Sequence, residues 1–319
     1  MKTFVAIAVS MLSAFGVQAQ LGKVVVVDLV AQQAEYLPNE ALLVGVRIAN
    51  KSGRTLHFGR DDTWVRFDVQ SLDGRNVGVM ADLPVAGAFK IESPMRAVRR
   101  FDIAPYFEMN QSGRYFVTAT VEIREPGWRQ ILTSRPLTID IVKGTTVWDQ
   151  DFGVVKADGT APEIRQYALQ KANLMDNRMK MYLRVSSLED GKVFKVTQID
   201  YIMSFSRKEA RLDRYNNLHI LLQTPRAIAR DYNYSVYGND GRLILRQTYN
   251  SDADRPKLVT DGEGLVRVKG GNRRIARSDF PQIEKKANPA EAESKNAKAL
   301  SQARGIVIEP PKLERPPEN

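Results

Sequence analysis

The residue types that carry most enzyme chemistry are scarce in this chain of 319 residues. It holds no cysteine and two histidines, His57 and His219. Without a thiol there are no disulfides, no thiolate nucleophile and no Cys-ligated zinc. A zinc ion needs three or four ligands converging tetrahedrally, and two distant histidines with scattered carboxylates do not supply them. A Ser-His-Asp relay needs a histidine with partners on both sides. Both histidines fall in stretches read as strand or turn, and neither has a nameable partner. Asp61 and Asp62, in "GRDD", follow His57 closely. A calcium or magnesium ion needs several converging oxygens, so this pair reads as a solvated turn. The Gly-x-Ser-x-Gly elbow, the Gly-x-x-x-x-Gly-Lys phosphate loop and His-Glu-x-x-His do not occur. No catalytic, cofactor-binding or metal-binding residue is assigned, no cofactor is expected, and the chain is read as a non-enzyme.

What remains is binding chemistry. In "RDYNYSVYGNDGRLILRQTYN", Tyr232, Tyr234 and Tyr249 would stack on a glycan or peptide while Arg230, Arg242 and Arg246 pair with its acidic groups. These six residues form the candidate ligand-binding face. The rival reading is that tyrosines are simply good strand residues. His219 alternates with Leu218 and Ile220 and reads as a surface or sheet-face histidine pairing across strands. His57 lies in "NKSGRTLHFG", where Asn50, Ser52 and Gly53 are what a tight turn requires. That stretch reads as a hairpin connection, with Leu56 and Phe58 inward and His57 on the outer face.

The elements that would hold these residues are strands. "ALLVGVRIAN" sets Leu42, Val44, Val46 and Ile48 on one face, the period of two that marks a half-buried strand. "TWVRFDVQS" sets Val65, Phe67 and Val69 against Trp64, Arg66 and Asp68. "RYFVTATVEIR" aligns Tyr115, Val117, Ala119, Val121 and Ile123, and "RPLTIDIV" aligns Leu137, Ile139 and Ile141. Asp73-Gly74 is a hairpin signal. Short strands with turns between them over residues 20–142 predict an antiparallel β-sandwich. Residues 143–160 read as a linker or a first short strand. A second antiparallel β-domain is expected over 161–277. There "RMKMYLRVSS" alternates, "KVFKVTQID" places Phe194 opposite Val193 and Ile199, and "PEIRQYALQKANL" reads as helix or strand, with strand favoured. The expected fold class is all-β, ending in a disordered or partly helical tail over 278–319.

"LLVGVRIANKSGRTLHFGRDDTWVRFDVQSLDGRNV" resembles bacterial Ig-like domains of the proteinase-inhibitor (BsuPI) type, over roughly residues 22–142. "SGRYFVTATV" is similar to the Gly-x-Tyr strand entry of Ig-like sandwiches. By that resemblance Tyr115 is a corner tyrosine bonded to nearby backbone, and proteinase inhibition is one implied role. In the second half, Asp213-x-x-x-Asn217-Leu218 and Asp261-x-x-Gly264-Leu265 echo each other about 47 residues apart, within the range of propeller blades. The echo resembles blade units of sialidase-like and other β-propellers. About one and a half units are present where a closed propeller needs four or more. Together the two halves resemble uncharacterised exported bacterial two-domain β-proteins, a likeness that implies no activity.

The chain opens "MKTFVAIAVSMLSAFGVQAQ". Lys2 precedes an apolar run from Phe4 to Val17, and Val17 and Ala19 are small enough for signal-peptidase cleavage. A signal peptide over 1–19 is expected, with the mature chain periplasmic or secreted. The run is short of the roughly 20 residues that span a bilayer, so no transmembrane segment is expected in the mature chain. Removing Lys2 lowers the formal charge from +10 to +9, and residues 278–319 hold seven basic and seven acidic residues. The cationic excess therefore sits in the β-domains, as a solvated surface or as contact with an anionic glycan or membrane surface. Export argues against nucleic acid as a partner. In the tail, "GIVIEPP" reads as a docking strand for an exposed sheet edge or as a chance apolar run. The expected role is an exported interaction or cell-envelope assembly protein that binds another protein through β-domain surfaces. The alternatives are a carbohydrate-binding module using the Tyr/Arg face and a proteinase inhibitor.

Overall fold

The computed structural model describes residues 24–156, 161–173, 178–203, 208–225, 231–251 and 254–282, and the backbone of 306–309. The described chain is all-β, arranged in several antiparallel sheets, with a short 3₁₀ segment at Ala104–Tyr106. Among the described residues no helix is long and apolar enough to cross a membrane.

The first half is a two-sheet sandwich. One sheet is ordered β1 (Val25–Ala31), β3 (Leu43–Asn50), β7 (Arg96–Asp102) and β22 (Ile306–Glu309). The other is ordered β2 (Glu35–Tyr36), β10 (Leu137–Ile141), β8 (Gly113–Glu125) and β5 (Val65–Ser71), with β9 (Trp128–Thr133) also on β8. β4 (Leu56–Phe58) pairs separately with β6 (Phe89–Ile91). The period-two residues build the core between the sheets. Val44, Val46 and Ile48 meet Val65, Phe67, Val69, Val117, Ala119, Val121 and Ile139 there, all buried. Each large aliphatic side chain so buried contributes roughly 1.5–3 kcal/mol, which is how a cysteine-free domain holds together. Tyr115 Oη donates to the Gln111 carbonyl at 2.9 Å, the bond a corner tyrosine makes.

Two local expectations change here. Trp64, placed outward by alternation, is buried, and its indole donates to the Val85 carbonyl at 2.8 Å. It precedes β5, so strand parity does not govern it. "NKSGRTLHFG" is a turn but not a hairpin, because β4 pairs with β6 and not with β3. Asn50 organises it, donating to the Arg54 and Ile91 carbonyls while accepting from the Ser52 amide and hydroxyl. His57 is half-exposed on β4, its Nδ1 lying 3.2 Å from Glu125.

The second half has three layers. A sheet of β11 (Thr145–Val154), β12 (Glu163–Asn173), β13 (Met179–Ser187) and β14 (Val193–Ile202) packs on a sheet of β15 (Lys208–Leu212), β16 (Leu218–Gln223), β17 (Asp231–Tyr237), β18 (Leu243–Asn250) and β21 (Asn272–Arg274). The hairpin of β19 (Lys257–Thr260) and β20 (Val266–Lys269) covers the far face of that second sheet through Leu258 and Val266. Residues 145–154, read as linker or first short strand, are a full strand on β12. The stretch after Pro162, read as helix or strand, is β12. The β13–β14 register breaks twice. Each bulge inserts a residue and reverses the parity, so Phe194 and Ile199 share one core although alternation separates them. The tail begins later than Ser278. Asp279 is buried and accepts from Thr248, Arg273 and the Ala276 amide, and Phe280 bridges to Arg246. The expected signal peptide and residues 283–305 and 310–319 lie outside the described residues.

The halves meet where Leu37 packs with Ala172, Tyr182 and Val196. Beside that contact runs a polar chain. Lys180 Nζ donates to Gln33 Oε1 at 2.7 Å, Gln33 Nε2 donates to Glu40 at 2.9 Å, and the Leu37 amide donates to Glu40 at 2.9 Å. Glu40 and Lys180 are both buried. Burial pushes the Glu40 carboxyl above its ordinary value, against the opposing pull of those hydrogen bonds and of the Lys180 charge.

Candidate docking edge

The six residues of the expected Tyr/Arg face do not share one exposed surface. Tyr232 and Tyr234 are buried under the β19–β20 hairpin with Leu258 and Val266, and Tyr249 lies half-buried beside them. Arg246 stands opposite Ser235 in register, so parity sends it to the other side of the sheet. There it donates to the Ile199 carbonyl and lies 3.8 Å from Asp200. Arg242 is exposed in the β17–β18 turn and pairs with Asp240 at 3.0 Å. Arg230 lies outside the described residues. The reason is layering: sequence periodicity shows which residues share a face, but not that a later hairpin covers it.

His219 is on the face opposite Leu218 and Ile220, as alternation requires, yet it is buried rather than a surface residue. Its Nδ1 lies 2.7 Å from Tyr234 Oη and its Nε2 3.1 Å from Asp213. Burial raises the Tyr234 phenol to about 12. Asp213 also accepts from the Tyr215 amide at 2.8 Å and the Asn217 amide at 2.9 Å. Burial raises the Asp213 carboxyl, but donation from Asn217 and His219 outweighs it and leaves the group below its ordinary value. The echoing stretch is built the same way. Asp261 accepts from the Glu263 amide at 3.1 Å and the Leu265 amide at 2.9 Å. Asn216 and Gly264, at the same place in the two turns, both have positive φ. The turns touch, the Arg214 amide donating to the Gly264 carbonyl at 3.0 Å. The echo is therefore a repeated Asp-anchored hairpin turn, and the histidine serves its burial. Asp61, in the other acidic pair, accepts from Thr63 and pairs with Arg124 at 2.9 Å.

The feature with the form of a binding site is the outer edge of β7. Sandwiches of the immunoglobulin type order one sheet A-B-E-D and the other C-F-G. β1, β3 and β7 occupy the A, B and E places, and β5, β8 and β10 occupy C, F and G. Between β5 and β7 the chain forms only β6, which pairs with β4. The D place, beside β7, is thus left open by the domain's own run of chain. It is taken by Ile306–Glu309, antiparallel to β7, with Ile306 opposite Arg99 and Glu309 opposite Arg96. The remaining edge residues Arg100, Phe101 and Asp102 extend past this short strand.

The edge is basic. Arg100 is exposed and Arg96 half-exposed, and cationic edges discourage indiscriminate strand pairing. Arg99 folds inward. Its guanidinium donates to the Ala86 and Gly87 carbonyls and lies 5.5 Å from the Phe89 and Phe101 rings. Burial lowers its pKa. Ala97 and Phe101 anchor β7 in the core. Sequence reasoning passed over this strand because arginines interrupt its pattern. The available signal was Ala97–Arg99–Phe101 against Val98–Arg100, a period of two with one arginine turned in over aromatic rings. Of "GIVIEPP", read as a docking strand or a chance run, Ile306–Glu309 form the strand that lies on it.

Comparison with protein-family models, with curated proteins and with solved structures finds no match to this chain.

Proposed function

We propose that the protein is a non-enzymatic exported interaction module that binds another protein of the cell envelope by strand addition at β7. The carrying observation is that β7 has an open place in its sheet and accepts a strand from a remote part of the chain. Main-chain hydrogen bonds give such docking its affinity, and alternate side chains give it selectivity. The signal-like start supports export to the periplasm or beyond. The wide spread of arginine over the β-domains supports an acidic partner surface.

Photo-crosslinking in intact cells tests this reading. A photoreactive residue at Arg100 is expected to give one defined protein adduct in the envelope fraction. The same residue at Asp28, on the β1 strand at the opposite edge of the sheet, should give none. Equal labelling from both positions, or from neither, would refute docking at β7. N-terminal sequencing of envelope-derived protein should begin at Gln20. An intact Met1 on protein confined to the cytoplasm would refute export.

A further inference from the structure

We infer that Ile306–Glu309 is a built-in placeholder, and that the partner is an extended segment reproducing its pattern: consecutive β-branched residues closed by an acid. This inference rests on β7 being the docking edge, and it adds what the edge selects and how access to it is controlled.

Three observations carry it. The first is topological. The strand fills the vacant D place from a point more than two hundred positions along the chain from β7, so the site accepts a strand that is not part of the domain's own run. The second is the shortness of the docked strand. It spans four residues and is followed at once by Pro310 and Pro311. Proline has no N–H to give to a ladder, so the prolines offer no ladder donor beyond Arg96, the start of β7, while at its other end the described strand begins at Ile306, opposite Arg99, and does not itself reach Arg100–Asp102. A partner strand of ordinary length, five or six residues, would pair with more of β7 than the placeholder does. The third is charge. β7 carries Arg96, Arg99 and Arg100, and the acid of the docked strand stands opposite Arg96 in register. A lysine at that position would put like charges opposite each other, which destabilises a strand pair.

Residues 283–305 separate the strand from the second domain, a stretch that spans at most about 80 Å. A strand supplied by the same chain competes with free ligands without being diluted, and one of four residues yields to a ligand that pairs along more of β7.

The test uses the full-length mature protein and a labelled synthetic peptide with the sequence of residues 304–312, "RGIVIEPPK". Fluorescence anisotropy is measured on the wild type, on Val307→Pro, which removes a ladder donor, and on Glu309→Arg, which reverses the charge opposite Arg96. The peptide should bind Val307→Pro at least tenfold more tightly than wild type, with Glu309→Arg between them. A peptide with lysine in place of the glutamate should bind Val307→Pro at least threefold more weakly. Equal binding to wild type and Val307→Pro would overturn the placeholder and leave β7 as a docking edge. Binding to neither protein would overturn both readings. Sedimentation distinguishes a second copy: a wild-type dimer that Val307→Pro dissociates would make the neighbouring chain the occupant and overturn docking in cis.

Discussion

Replacing Asp213 with alanine is expected to cost about 3–5 kcal/mol, several times the cost of the same change at Asp261. The two aspartates anchor the same turn, and each accepts two backbone amides, at positions two and four residues on. They differ in surroundings. The Asp213 side chain is 7% exposed and holds His219 at 3.1 Å, whereas that of Asp261 is 32% exposed and faces Arg267 at 3.2 Å. At Asp261 the freed amides regain water, so the loss is the net value of the hydrogen bonds, about 1 kcal/mol. At Asp213 the His219 Nε2 loses its partner in a buried site, which costs the desolvation of each stranded group. The acid limb has a defined sign. Asp213 titrates below its ordinary value in the folded protein, so its contribution is complete above the unfolded value of about 4 and is lost as pH falls through the folded value. Hydrogen exchange in urea, read on peptides covering β15 to β20, isolates the layer that holds both turns. Equal costs at the two positions would show that burial and the histidine add nothing, and the reasoning would fail.

Other substitutions probe the junction and the first sandwich. Tyr182 is fully buried with no hydrogen-bond partner for its hydroxyl among the described residues. Tyr182→Phe should be neutral or stabilising by about 1 kcal/mol, and a lower melting temperature would contradict this. Tyr115→Phe removes the bond to Gln111 and should cost about 1 kcal/mol in denaturant midpoint; no change would mean the corner bond has no net value. Glu40 titrates above its ordinary value because of burial, so the folded state holds the proton more tightly than the unfolded state. Its effect on stability should improve as pH falls from above the folded value toward about 4.5. The stability difference between Glu40→Gln and wild type should narrow over that window, and a difference independent of pH would count against a shifted Glu40.

The strands whose residues alternate cleanly were legible from sequence, and they fix the sandwich. Val44, Val46, Ile48, Val65, Phe67, Val69, Val117, Ala119 and Val121 all lie where a period of two puts them. The illegible parts share physical causes. Bulges in β14 reverse parity without any change in composition. A covering hairpin turns Tyr232 and Tyr234 from a stacking face into core. Arg99 occupies an inward position on β7 because its guanidinium finds two carbonyls and aromatic rings there, which hydrophobicity alone does not convey. The docking segment was visible as "GIVIE", but its acceptor was not, since a vacant place in a sheet is a property of topology and not of any local stretch.

The position of β22 bears on how the protein is made. β7 is synthesised more than two hundred residues before the strand on its outer edge, so the first sandwich leaves the ribosome with one flank bare. Large proteins expose such unpaired flanks to aggregation while they mature. Cationic Arg96 and Arg100 protect the flank during that interval. Clipping the chain between Gln282 and Ile306, or fusing a bulky tag behind Glu309, would thus act on the first sandwich through a strand more than two hundred positions away from β7.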